Sequence, residues 1–169
     1  MEALFITKED ITRLTVMGGS VDVDKYVQFI KIAQDLHIKK FLGENLYNKY
    51  QTLLQGGTIG QPANVNYKNL LDTYIKYMTI HWSMVEYLPF AAYTIGNKGV
   101  YKHTSETGEV VSKEEVDALI EKERDIAQSY TTSFIDHINN FSSLYPEYLN
   151  NSNGQMHPTK KNNFSGLHL

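Results

Sequence analysis

The chain has no cysteine. Disulfides, thiolate metal sites and thiol nucleophiles are therefore excluded, and the composition suits a reducing cytoplasm. Long hydrophobic runs are also missing, and nothing approaches the ~20 apolar residues of a membrane-spanning helix. The opening MEALFITKED has neither a basic n-region nor an apolar h-region, so no secretion signal is expected. Basic charge is not in excess: the net charge of −3 argues against a protein that coats nucleic acid. Residues 150–169 hold Lys160 and Lys161 and no acid, a local +2, so the remainder carries −5. Motifs of known chemistry are absent too. There is no G-x-S-x-G elbow, P-loop or dinucleotide fingerprint. Gly56-Gly57-Thr58-Ile59-Gly60 is glycine-rich, but it follows a helical segment rather than a strand, which disfavours a phosphate cradle. None of the six histidines has an acid three residues before it, so the Glu-x-x-His pairs of a carboxylate-bridged metal bundle are not available. No metal, cofactor or enzymatic activity is expected.

What is present is a helical pattern. The chain has 169 residues, 41% apolar and 21% charged, enough for one domain with a real core. Its organising stretch is Tyr67 to Leu88, which contains the single Trp. Apolar residues recur there at Tyr67, Leu70, Leu71, Tyr74, Tyr77, Met78, His81 or Trp82, Val85 and Leu88, the spacing of an amphipathic helix. Such a stripe needs a cover. The candidate is Glu114 to Phe141, where Val116, Leu119, Ile120, Ala127, Tyr130, Phe134, Ile138 and Phe141 follow the same period. Ser112 and Glu115 form a capping box at its start. Glu114, Glu115, Asp117, Glu121, Glu123 and Asp125 crowd its first turns, where the helix dipole favours acids, and read as a solvated or interface face.

Shorter helices precede this pair. Thr7 and Asp10 open the first, with Ile11 and Leu14 facing inward and Gly18-Gly19 at its end. The second spans about Asp24 to Leu42, its face built from Val27, Ile30, Ala33, His37 or Ile38, and Phe41, widened by Tyr26 and Phe29. Gly43 stops it. Leu46, Tyr47, Tyr50, Leu53 and Leu54 mark a third helix, closed by Gly56-Gly57. Pro89 breaks the central helix. Beyond it, Val100-Tyr101 and Val110-Val111 flank Ser105 to Gly108 and predict a hairpin or an extended loop. His81, beside Trp82, reads as a core or edge histidine with a hydrogen-bond partner. The expected fold is thus all-α: a bundle of two long antiparallel helices, shorter N-terminal helices, an extended loop or hairpin, and a flexible C-terminal tail. Residues 1–149 form the domain and 150–169 an extended arm. Candidate partner contacts are Val100, Tyr101, Val110 and Val111 on the loop, with Met156, Lys160, Lys161, Phe164, Leu167 and Leu169 on the arm.

Several local patterns carry a resemblance: Phe5-Ile6-Thr7-x-x-Asp10-Ile11, Asp22-x-Asp24-Lys25, Ile30-x-x-Ala33-Gln34 and Phe41-Leu42-Gly43-x-x-Leu46-Tyr47. Asn97-Lys98-Gly99-Val100 and Leu144-Tyr145-Pro146-Glu147-Tyr148 extend it. Over residues 4–150 the chain resembles the head–tail connector proteins of tailed bacteriophages, most closely the adaptor, or ring, proteins of crAss-like phages. The resemblance implies a structural virion protein at the neck, made in the bacterial cytoplasm, with no catalytic residues. It implies a homo-oligomeric ring of about twelve copies beneath the portal protein, contacting the next neck or tail ring. DNA would pass through its channel without sequence-specific binding. A small helical interaction or regulatory module, acting as a monomer or dimer, is the alternative expectation.

Overall fold

The computed structural model describes residues 2–15, 23–91, 93–96, 99–102, 112–150 and 154–161. Thr7 starts the first helix, α1 (Lys8–Leu14). Its hydroxyl accepts from the Asp10 N–H at 3.3 Å, and the Asp10 carboxylate accepts from the Thr7 N–H at 2.9 Å. This is the reciprocal capping box that the spacing predicts. Ile11 is buried, but Leu14 is exposed, contrary to expectation. Three residues further along, it sits about 60° round so short a helix. Gly18-Gly19 lies outside the described residues.

The next helices form one bent rod: α2 (Val23–Ala33), a wide turn at Gln34–Ile38, and α3 (Lys39–Gln55). Its inward residues Tyr26, Ile30, Gln34, Ile38 and Leu42 recur every four positions. A 3.6-residue helix drifts about 40° at each such step. The wide turn, closed by the Lys39 N–H on the Gln34 carbonyl five residues back, takes up that drift. Val27, expected inside, lies off this stripe and is exposed. Gly43 then breaks the rod as predicted, with φ 73° and ψ 165°, a conformation open to glycine alone.

The central stretch is again continuous: α4 (Val65–Leu70), a second wide turn (Leu71–Ile75) and α5 (Lys76–Tyr87), ending in a 3-10 turn at Leu88–Phe90 around Pro89. One broad buried face was expected, and more than one is found. Ile75, Thr79, Ile80, Ser83 and Met84 are buried in addition to the predicted stripe. The reason is position, since α5 lies between α2 and α6 (Lys113–Asn140). Thr79 and Ser83 survive burial by donating to the carbonyls of Ile75 and Ile80, each at 2.7 Å.

α6 runs antiparallel to α5, since contacts ascend one helix as they descend the other. Tyr74 stacks on His137, Tyr77 on Tyr130, and His81 meets Glu123. Two apolar clusters result. The larger joins Phe5, Leu42, Tyr50, Leu71, Trp82 and Phe134 with their neighbours, and the smaller joins Ile6, Ile11, Tyr26, Ile30, Ile80 and Met84. Ala127, Phe134 and Ile138 are buried as predicted, whereas Leu119 and Phe141 are exposed. Leu119 turns away from half-buried Val116 and Ile120, and Phe141 caps the helix just past its end.

Between the long helices stands a two-stranded antiparallel hairpin, β1 (Tyr93–Gly96) on β2 (Gly99–Lys102), with Ile95 opposite Val100 and Gly96 opposite Gly99. A hairpin was one of the two expected forms for the loop, and the described one pairs Val100-Tyr101 with Thr94-Ile95. Val110, Val111 and Ser105 to Gly108 lie outside the described residues. After α6, α7 (Pro146–Leu149) seats Tyr145 and Tyr148 in the larger cluster. The fold is the expected helical bundle.

Candidate interaction surfaces

The histidines come first because they could have held a metal. His37 Nε2 lies 2.8 Å from Glu86 Oε1, and its ring stacks on Trp82 at 4.0 Å. His81 Nδ1 lies 2.8 Å from Glu123 Oε2, and its ring stacks on Tyr130 at 5.2 Å. His81 therefore has the hydrogen-bond partner expected of it, and Glu123 belongs to this seam rather than to the solvated acidic face. Trp82 donates to Thr131 Oγ1 at 3.0 Å. Burial holds His137 below the usual histidine range. Among the described residues each histidine has at most one acidic partner, and no group of three potential metal ligands occurs. The seam joins α5 to its two flanking helices.

Three of the residues quoted for the resemblance, Phe5, Gln34 and Tyr47, meet in one place. Gln34, fully buried, accepts from the Phe5 N–H at 2.7 Å and donates to the Ala3 carbonyl and the Tyr47 hydroxyl, both at 3.2 Å. Gln51 accepts from the Ala3 N–H at 2.7 Å and donates to the Ala3 carbonyl at 3.0 Å. Two side-chain amides thus bind the N-terminal segment as a neighbouring strand would. They satisfy backbone groups that would otherwise be buried unpaired. The Phe5 ring packs on Tyr47 at 5.2 Å. At the other end of the pattern, the Tyr67 hydroxyl donates to Glu147 at 2.6 Å. These residues are a structural clamp, not an outward-facing site.

The tail is the second surface. Residues 154–161 run extended, and the contacts they make are with their own chain. The Glu44 N–H donates to the Met156 carbonyl at 2.9 Å and the Thr159 N–H to the Lys40 carbonyl at 3.0 Å. Asn139 donates to the Lys160 carbonyl at 3.1 Å. Pro158 is buried against Gly43, where a Cβ would come within 2.7 Å of the Pro158 ring. Gly43 is thus required for close approach as well as for its dihedrals. Of the predicted arm contacts, Met156, Lys160 and Lys161 keep exposed side chains on this strap. Phe164, Leu167 and Leu169 lie outside the described residues. Val100 and Tyr101 stand in β2, so the structure does not bring the loop contacts and the strap together.

The third surface was not foreseen. From Lys113 to Lys122, the first ten residues of α6, no side chain is fully buried; Val116 and Ile120 are half-buried, Ile120 against the larger cluster. Leu119 is 51% exposed, and Phe90 and Tyr93, leading from the Leu88–Phe90 turn into the hairpin, are 54% and 51% exposed. Periodicity assigned Leu119 to the core. Val116 and Ile120 of the same stripe are half-buried, so it is Leu119, turned away from them, that is left open.

Structure and surfaces define a small helical bundle with a docked C-terminal strap and an exposed apolar residue, Leu119, near the start of its longest helix. The chain belongs to the Family of unknown function (DUF6712), whose family model matches residues 38–157. The match runs past residue 150 into the strap. No curated protein and no solved structure matches the chain. No helix among the described residues is long and apolar enough to cross a membrane.

Proposed function

We propose that this protein is a non-enzymatic head–tail adaptor subunit of a tailed-bacteriophage neck. Copies assemble as a ring on the portal protein, and DNA passes through its channel toward the next ring. The observation that carries this reading is the exposed apolar set near the start of α6: Leu119 on a helix with a complete capping box, Phe90 of the turn packed against that helix, and Tyr93. Exposed apolar residues grouped in this way mark contact surfaces. The family resemblance of residues 4–150 supplies the kind of neighbour.

The test is the solution mass of the purified protein across a concentration series, with negative-stain images, alone and with a purified portal protein. A closed ring of many copies, alone or templated by the portal, is expected. A discrete dimer without affinity for any portal would replace this reading with that of a small interaction module. Truncation after Lys161 keeps the strap and removes Phe164, Leu167 and Leu169. It should leave the melting temperature unchanged and weaken portal attachment.

A further inference from the structure

Gln34 and Gln51 stand on opposite sides of the Gly43 break. On a straight helix their separation in sequence would place them about 25 Å apart. Yet both donate to one atom, the Ala3 carbonyl, Gln34 at 3.2 Å and Gln51 at 3.0 Å. The break therefore turns the two limbs of the rod toward each other, and residues 2–6 lie in the cleft between them. The same two amides accept from the Phe5 and Ala3 N–H groups, each at 2.7 Å. Both receptor groups are also held from their own side. Gln34 donates to the Tyr47 hydroxyl at 3.2 Å, and Gln51 accepts from Gln55 at 3.3 Å. One deep anchor completes the contact: the Phe5 ring is 2% exposed and lies 5.2 Å from Tyr47 and 5.8 Å from Tyr50. Ile6 enters the smaller cluster, and Glu2 pairs with Lys31 at 2.7 Å.

We infer that this cleft is a peptide-binding site for an extended Ala-x-Phe-Ile segment, and that residues 2–6 are its resident ligand, able to leave and re-enter as a unit. Amides that read a peptide backbone, with a pocket for one side chain, are how proteins hold extended peptides. Backbone bonds supply affinity here and the Phe5 pocket supplies selectivity. Because Tyr47 and Gln55 hold the two glutamines, the receptor is organised before the ligand arrives, which lowers the cost of binding. The helices behind the cleft have other cover, since α5 packs on α2 and α6. Loss of the segment therefore opens the cleft without dismantling the bundle. The inference goes beyond the adaptor reading and does not depend on it.

The experiment adds the segment as a separate molecule. A synthetic peptide of residues 2–15, EALFITKEDITRLT, labelled at its C-terminus, is titrated by fluorescence anisotropy against the full chain carrying Phe5→Ala. Circular dichroism verifies that the variant is folded. Binding should saturate, and should be at least about tenfold tighter than to the wild type, whose own segment competes. Adding Gln51→Ala to the variant should weaken it by about tenfold, and a peptide with Ala in place of its Phe should not bind. Amide exchange of the unmodified chain gives a second measurement, which stands even if Phe5→Ala fails to fold. The Phe5 N–H should exchange through local opening, with far less protection than Ile138. The inference is overturned if the folded variant ignores the peptide, if binding is indifferent to Gln51 and to the peptide's Phe, or if Phe5 exchanges only with global unfolding.

Discussion

The two halves of α6 have the same helical geometry and different supports. From Ala127 to Ile138 the helix buries Ala127, Thr131, Phe134, Ile135 and Ile138 against the central rod. From Lys113 to Lys122 it buries no residue fully; Val116 and Ile120 are half-buried, Ile120 against the larger cluster. That half rests on the Ser112–Glu115 capping box and on acids at its positive end. An apolar period can therefore continue past the point where full burial stops. At Leu119 it marks a surface rather than a core.

The sharpest way to break this comparison is alkaline pH, which acts on the packed body and leaves the start of α6 alone. Burial raises the hydroxyl pKa of Tyr26, Tyr47, Tyr50, Tyr67, Tyr145 and Tyr148, that of Tyr148 up to about 12. In the unfolded chain these groups ionise near pH 10. Below that pH both states are protonated and the tyrosines impose no penalty. As pH rises from 10 through the folded-state values, the unfolded chain loses protons first, and stability falls with it. Urea midpoints measured from pH 8 to 12 should hold to about pH 10 and then drop steeply. A flat profile through pH 12 would mean that the tyrosines are not packed as described.

Next in size are truncations on the two halves. Phe134→Ala should cost about 3–5 kcal/mol of unfolding free energy, while Leu119→Ala should stay within about 0.5 kcal/mol. Equal losses at the two sites would erase the distinction between the halves.

Much of this fold was legible because local chemistry writes it. Thr7-Asp10 and Ser112-Glu115 specify helix starts, Gly43 specifies a break, and Pro89 specifies an end, each through atoms a few residues apart. The faces were less legible. Val27 sits about 100° round from Tyr26, off the arc that Tyr26, Phe29, Ile30 and Ala33 bury, and α5 buries more than one face because both α2 and α6 pack on it. Gln34 and Gln51 read as ordinary polar positions, since their partners are backbone atoms of Ala3 and Phe5, distant in sequence. Tail residues resemble a loose terminus until Pro158 is seen against Gly43, and nothing local announces that contact. The candidate surface was half visible. Its acids were noticed, but Leu119 among them was assigned to a core that does not reach it.

Gly43 offers a smaller perturbation that separates strap from body. Gly43→Ala places a Cβ in a backbone region that L residues avoid and drives it into the Pro158 ring. A cost of about 1–3 kcal/mol is expected, together with release of the strap. Amide exchange at Glu44 and Thr159 should accelerate sharply while exchange at Ile135 and Ile138 changes little. Unchanged protection at Thr159 would show that the strap does not depend on this close approach.

The smallest effect comes from Ser112→Ala. Removing the hydroxyl leaves the Glu115 N–H without its 3.2 Å acceptor and costs the first turn about 1 kcal/mol. In a helix packed along its whole length that loss would appear in global stability. Here the capped turns bury no residue fully and reach the larger cluster only through half-buried Ile120, so they can fray without disturbing Trp82, Thr131 or Phe134. The urea midpoint should therefore remain nearly unchanged while amide exchange accelerates from Val116 to Ile120. If instead the midpoint moves by the full value of the cap, the start of α6 unfolds together with the body. It would then be a cooperative part of the core rather than a surface held out for a neighbour.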